Sequence, residues 1–171
     1  MDHVLAATVL VDLGPQETAE FLQLMEPDDA ADILQALGRK EAAETLRYMP
    51  TPLAARLGKL SQYDPDSAGG LMTTSIVWVP AHLTVAQTID HLRSDELFTH
   101  SDQQGMYVYV VDIGMRLVGV LELRRLLTAR AADKVEDIMI RDVDTILPDM
   151  DQEEVAREFE RYDYLSLPVV D

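Results

Sequence analysis

Residues 63–73 read YDPDSAGGLMT, and the pattern of apolar residues changes on either side of this stretch. Before it, apolar residues recur at the spacing of short helices. After it, apolar runs of strand length alternate with helical segments. The pair Gly69-Gly70 favours a tight backbone turn, because glycine has no Cβ to obstruct one. We therefore predict two differently folded regions, joined by an acidic linker at residues 63–66.

Upstream of the linker, residues 1–62 contain an internal repeat of twelve residues. The small residue that marks each unit is alanine, at Ala7, Ala19, Ala31, Ala43 and Ala55. In most units apolar residues follow two, three and six positions later, which places them along one side of a helix. Prolines separate units, where proline favours a helix start, at Pro15, Pro27, Pro50 and Pro52. The repeat predicts a superhelical stack of short helices with alanine-sized contacts, in which neighbouring units stabilise one another.

Downstream of the linker, strand and helix signals alternate. The predicted order is strand Ile76–Val79, helix Thr84–Arg93, polar loop Ser94–Gly105, strand Tyr107–Val111, turn Asp112–Gly114, strand Leu117–Leu121 and helix Leu123–Arg130. The same order restarts at Asp137 and continues through a strand at Thr145–Pro148 and a helix at Asp151–Arg161. It stops after Leu167–Asp171, so we expect the second copy to lack its last strand and helix, as in a fragment of a longer protein.

The charge of the chain is strongly acidic and unevenly distributed. There are 31 acidic and 14 basic residues, for a net charge of −17, of which residues 1–66 carry −7 and residues 135–171 carry −9. Such a surface disfavours binding to nucleic acids or anionic lipids and favours divalent cations or basic partners, although solubility alone also explains it. The chain has no cysteine, which excludes disulfides and thiolate zinc sites. No apolar run approaches the ~20 residues of a membrane span.

Two features resemble a known family. The strand–helix–strand–strand–helix unit, with Met72-Thr73 near its start, resembles a CBS domain, a module that works in tandem pairs. The run Ala68–Thr73, after an acidic linker and a helical repeat, resembles the cytosolic region of MgtE-type magnesium channels, and residues 151–157 are a second close match. The resemblance implies a right-handed superhelical N domain at residues 1–62, a first CBS domain at 67–134 and a partial second one at 135–171.

The resemblance also implies a function. The chain would be a non-enzymatic regulatory module at the cytoplasmic face of the cell membrane, a homodimer through its CBS domains beneath a pore domain. Mg²⁺ bound between the N domain and the CBS domains would hold the channel closed. The implied ligands are the side chains of Asp28, Asp32, Glu153 and Asp163 and the backbone carbonyls of Gly70 and Glu160. Magnesium's preference for oxygen ligands is consistent with this set.

Apart from the resemblance, the residues leave structural explanations open. Asp28 and Asp32 share a helix face, where like charges are destabilising without a counter-ion, but acidic residues in a first turn also complement the helix dipole. Glu153 can pair with Arg157 four positions later. Glu154 can form a capping box with Asp151.

Nucleotide binding is the main alternative within the CBS class. Many CBS domains hold ribose hydroxyls with an acidic residue near the start of the last helix and a Ser or Thr three positions before it. Here Arg125 and Glu122 occupy these positions, so we predict weak or no ATP binding, with Tyr107 and Arg124 as the remaining contacts. Two alternative functions stay open: a nucleotide sensor without a channel, and a helical scaffold that binds a basic partner protein. We find no phosphate-binding glycine loop, nucleophile elbow or HExxH motif, and predict no enzyme.

Overall fold

A computed structural model describes residues 3–100 and 107–171. The described residues form two compact units, one within Met1–Thr74 together with Thr145–Asp171 and the other within Ser75–Asp144. The end of the second sequence copy therefore belongs to the same unit as the N-terminal helices. No helix in the described part of the chain is long and apolar enough to span a membrane.

The N-terminal part of the first unit is helical, as predicted. Its helices are α1 His3–Leu13, α2 Pro15–Leu22, α3 Pro27–Leu37, α4 Arg39–Leu46, α5 Thr51–Leu60 and the short α6 Ala68–Leu71. The first five pack as a stack, because α1 and α5 both contact α3, while α2 contacts α4. The side chains buried at its centre include Leu22, Ile33, Leu34 and Leu57.

Glycine and proline residues mark the breaks between the first five helices. Gly14 and Gly38, with φ of 90° and 88°, turn the chain between α1 and α2 and between α3 and α4. Such positive φ values suit glycine because it has no Cβ. Pro15 and Pro27 begin α2 and α3, as predicted, and Pro52 lies in the first turn of α5. These breaks keep each helix near one repeat unit in length.

The prediction of alanine contacts is correct for part of the stack only. Ala7, Ala19 and Ala31 are buried, but Ala43 and Ala55 are exposed. The buried face shifts along the repeat: the position two residues after each alanine is exposed at Val9 and Phe21 and buried at Ile33, Thr45 and Leu57. The later helices therefore present a different side to the core, which the repeat alone does not reveal.

The second unit contains a three-stranded sheet and its helices. The elements are β1 Trp78–Pro80, α7 Val85–Ser94, α8 Glu96–His100, β2 Tyr107–Val111, β3 Leu117–Glu122, α9 Leu123–Thr128 and α10 Val135–Ile138. The sheet order is β1-β2-β3, with β1 parallel and β3 antiparallel to β2. Val79, Val110 and Leu121 are fully buried in its core. This is the predicted strand–helix–strand–strand–helix order.

The segment predicted as a polar loop contains α8. Asp95 caps this helix, because its Oδ1 accepts a hydrogen bond from the backbone N–H of Phe98 at 3.1 Å. Phe98 is partly buried against the core of the second unit. This segment therefore contains a short capped helix that contacts the core, although its polar composition predicted a loop. Residues 101–105 of the predicted loop lie outside the described residues.

The start of α7 is the predicted one. Thr84 Oγ1 accepts from the N–H of Gln87 at 3.3 Å, and Gln87 Oε1 accepts from the N–H of Thr84 at 2.9 Å, which makes a capping box. One turn later, Thr88 is fully buried, and its hydroxyl has no hydrogen-bond partner among the described residues.

We expect Thr88→Val to raise the free energy of unfolding by about 1 kcal/mol, because it removes an unpaired buried hydroxyl and keeps the side-chain shape. Urea denaturation measures the change. The control is Thr84→Val, which removes the cap and should cost about 1 kcal/mol. Destabilisation by Thr88→Val would show that its hydroxyl has a partner.

The chain returns to the first unit at Thr145. Ile146 pairs in parallel with Val169, as β1 pairs with β2 in the first copy. The helix α11, Gln152–Tyr162, matches the predicted helix, and Asp151 caps it by accepting from the N–H of Glu153 at 2.8 Å. No residue of α11 is buried.

Candidate functional site

A small, shallow pocket, partly open to solvent, lies along α3 in the first unit. From α3 it is lined by Asp28, Asp32 and Gln35, which follow one another at helical spacing, and by Ala31. Its other side consists of residues from the end of α5 through α6, namely Leu60, Ser61, Tyr63, Pro65, Gly69, Gly70 and Met72. Three of the six expected magnesium ligands, Asp28, Asp32 and Gly70, thus line one pocket.

The helix α3 fixes the two carboxylates. Pro27 begins the helix, so Asp28 lies in the first turn and Asp32 one turn later. Ala30, Ile33 and Leu34 are buried and anchor the rest of the helix in the core. The Oδ1 atom of Asp28 is buried and has no hydrogen-bond partner among the described residues. A buried carboxylate oxygen needs a donor or a cation, so this atom indicates a ligand or ordered water in the pocket.

The opposite wall is a tight turn that leads into α6. Ser67 caps α6: its Oγ donates to the carbonyl of Asp64 at 2.7 Å and accepts from the N–H of Gly70 at 3.2 Å. A Cβ on Gly70 would lie 2.2 Å from the carbonyl oxygen of Asp64, so only glycine fits. The turn therefore holds the backbone of Gly70 against the pocket.

The same turn is bonded to the second sequence copy. The N–H groups of Ala68 and Gly69 donate to the carbonyls of Met150 and Pro148, both at 2.8 Å. The N–H of Gln152, at the start of α11, donates to the carbonyl of Asp66 at 2.8 Å. The pocket wall and the start of α11 are thus parts of one hydrogen-bonded structure.

The remaining expected ligands, Glu153, Glu160 and Asp163, are exposed on α11 and at its end. Glu153 Oε2 lies 3.9 Å from Arg157 Nη2, which makes the ion pair that the spacing of these two residues allows. Asp163 ends the helix with φ of 55°, a left-handed conformation. Among residues 3–100 and 107–171, no three His, Asp or Glu side chains converge on a metal position. A cation in the pocket would therefore use two carboxylates together with backbone and water oxygens.

The candidate nucleotide contacts lie in the second unit. Tyr107 begins β2 and is 38% exposed, and Arg124 is exposed on α9. Arg125 Nε lies 3.4 Å from Glu122 Oε2, and Arg125 Nη1 donates to the carbonyl of Ile138 at 3.3 Å. The two residues that depart from the nucleotide-binding pattern therefore pair with each other.

Sequence reasoning missed one ion pair of the first unit. Lys59 Nζ on α5 lies 2.9 Å from Asp171 Oδ2. The hydrogen bond between them raises the pKa of Lys59 and lowers the pKa of Asp171. Both side chains are mostly exposed, so the pair contributes little to stability. No local pattern indicates a contact between residues this far apart in sequence.

Comparison with known proteins first gives the class. The CBS domain family model matches residues 68–132 and 135–171, and the model of the MgtE intracellular N domain matches residues 1–66. The chain is a CBS-domain protein with a helical N-terminal region.

More specifically, the chain belongs to the MgtE family of magnesium transporters. The magnesium transporter MgtE of Bacillus subtilis (strain 168) is 40% identical over 163 residues, which are 95% of this chain and 36% of that protein. This chain therefore spans about a third of the length of that relative.

Two solved structures agree with this membership. One, described as the soluble part of a magnesium transporter, is 32% identical with a TM-score of 0.81, over 95% of this chain and 62% of its own. The other, the cytosolic domain of the Mg²⁺ channel MgtE in complex with ATP, is 35% identical with a TM-score of 0.76, over 100% of this chain and 74% of its own.

Proposed function

We propose that this chain is the magnesium-sensing region of an MgtE-type transporter, at the cytoplasmic face of the membrane. It binds Mg²⁺ at the α3 pocket and controls ion flow through a membrane domain of the parent protein. The observation that carries the proposal is the buried, unpaired Oδ1 of Asp28 in a pocket that Asp32 and Gly70 also line. The Bacillus subtilis relative is a magnesium transporter, which supports Mg²⁺ as the cation.

The donor set fits magnesium. Mg²⁺ keeps several of its waters and is usually bound by one or two carboxylates. Asp28 and Asp32 supply these carboxylates, and Gly70 supplies its backbone carbonyl. We propose that Glu153, Asp163 and the carbonyl of Glu160 hold further Mg²⁺ along α11, a helix that carries four glutamates and is followed directly by Asp163.

The charge distribution supports a sensing mechanism based on electrostatic repulsion. The first unit contains most of both acidic blocks, and like charges repel unless cations lie between them. Bound Mg²⁺ favours the compact arrangement of the α3 pocket, α6 and α11. When Mg²⁺ falls, repulsion favours separation of these elements, and the parent channel opens.

A Mg²⁺ titration of thermal unfolding tests this proposal, with NaCl matched for ionic strength. Binding to the folded state raises the free energy of unfolding by about 2.7 kcal/mol at a hundredfold excess over the dissociation constant. We expect a rise that is specific to the divalent cation. An equal response to matched NaCl would reduce the effect to charge screening and contradict the proposal.

We propose a homodimer through the CBS domains. Leu127 on α9 is 75% exposed, although it is an apolar residue on a helix that packs against the sheet. We expect Leu127→Glu to shift the molecular mass from dimer to monomer in size-exclusion chromatography with light scattering. Leu24→Glu is the control, because Leu24 is also exposed but lies in the other unit. A dimer that survives Leu127→Glu would exclude this face.

Adenine-nucleotide binding is a second candidate function, favoured by the ATP complex of the solved MgtE cytosolic domain. We propose Tyr107 and Arg124 as its contacts here. Arg125 stands where the nucleotide-binding pattern has an acidic residue for the ribose hydroxyls, and it pairs with Glu122. We therefore expect weak affinity for ATP. A submicromolar dissociation constant for ATP in calorimetry would contradict this expectation.

A further inference from the structure

Gln35 makes a long-range connection at the α3 pocket. It lies one turn after Asp32, and its Nε2 donates to the carbonyls of Tyr63 at 2.9 Å and Ser61 at 3.3 Å. Carbonyl oxygens only accept hydrogen bonds, so the amide nitrogen must face them. Gln35 thus joins the carboxylate-bearing helix to the segment that leaves α5.

That segment leads directly to the pocket wall. A Cβ on Gly69 would lie 2.6 Å from the ring of Tyr63, so the tyrosine packs tightly against the α6 turn. The next residue, Asp64, accepts through its carbonyl from both the N–H and the Oγ of Ser67. The contacts therefore run without interruption from Gln35 through Tyr63 and Asp64 to the backbone of Gly70.

We infer that Gln35 is a positioning residue of the magnesium site. It sets the separation between the carboxylates of Asp28 and Asp32 on α3 and the carbonyl of Gly70 on the opposite wall. This inference rests on the proposed function, because it assumes that the pocket holds Mg²⁺. Gln35 is itself exposed, so its role does not depend on filling the core.

The test is calorimetric titration of Mg²⁺ into the folded protein at matched ionic strength, with Gln35→Ala and Gln35→Glu. Substituting a residue that orients metal ligands typically weakens metal affinity by about tenfold or more. We expect both variants to weaken Mg²⁺ binding by about tenfold. The glutamate cannot donate to the two carbonyls, although its charge would attract the cation. Binding by Gln35→Glu as tight as that of the wild type would overturn the inference.

The matched control is Gln62→Ala. The Nε2 of Gln62 also donates to a backbone carbonyl, that of Gly58 at 2.9 Å, but this bond stays within the end of α5. We expect the dissociation constant of this variant to be unchanged. If Gln35→Ala lowers only the melting temperature without Mg²⁺ and binds Mg²⁺ as the wild type does, Gln35 has a structural role and the inference fails. If the wild type shows no Mg²⁺-specific binding, the proposed function fails first.

Discussion

Replacing Asp28 and Asp32 together by asparagine is expected to remove most of the Mg²⁺-specific stabilisation and to leave the fold intact without Mg²⁺. At a Mg²⁺ concentration a hundredfold above the dissociation constant, the loss should approach ~2.7 kcal/mol. Without Mg²⁺ the stability of the variant should differ from that of the wild type by only a few tenths of a kcal/mol, because the relief of a like-charge pair one helical turn apart is offset by the loss of a carboxylate that complements the helix dipole. Thermal melting with and without Mg²⁺ measures both effects.

A loss of stability that appears only in the presence of Mg²⁺ distinguishes a cation site from a structural role. The matched control is Asp29→Asn, which removes a neighbouring carboxylate in the first turn of α3 that does not line the pocket. It should keep the Mg²⁺ response. Equal losses in Asp29→Asn and the double variant would mean that total charge, and not the pocket, determines the response.

Gly70→Ala is expected to have the largest effect on stability among single substitutions at the pocket. The added Cβ would lie 2.2 Å from the carbonyl oxygen of Asp64 and 2.9 Å from the Cα of Pro65. Both obstacles are backbone atoms, so the turn must move, at a cost of about 3 kcal/mol. Urea denaturation measures the loss.

Gly58→Ala is the matched control for this substitution. Gly58 lies inside α5, and a Cβ there would meet only Leu46 Cδ1 at an ordinary 3.6 Å. Alanine is favoured over glycine in a helix by about 1 kcal/mol, so this variant should be more stable than the wild type. A similar small change in both variants would show that the turn at Gly70 yields easily, and would argue against a rigid pocket wall.

The parts of the fold that could be predicted from the sequence are those with local signals. The capping box at Thr84 and the helix start at Pro27 each depend on residues within one turn. The exposure of Ala43 and Ala55 could not be predicted, because it depends on which side of each helix meets its neighbours. Nor does any periodicity indicate that residues 145–171 join the N-terminal helices in one unit.

In the candidate site, too, the local features could be predicted from the sequence and the tertiary contacts could not. Spacing places Asp28 and Asp32 on one helix face, but their proximity to Gly70 follows from tertiary packing and was expected only from the family resemblance. The role of Gln35 was not foreseen, because its hydrogen bonds to Ser61 and Tyr63 join distant parts of the chain. For Glu153, the structure contains the predicted pair with Arg157, so its part in metal binding stays a proposal.

The most direct test of the central claim is backbone hydrogen exchange of the wild type and of the Asp28→Asn, Asp32→Asn double variant, with saturating Mg²⁺ and with matched NaCl. If Mg²⁺ holds the α3 pocket together, the cation should slow exchange at residues 64–71, the opposite wall of the pocket, in the wild type but not in the variant. Equal exchange under both salts in the wild type, or the same protection in the variant, would contradict a magnesium-sensing pocket at α3.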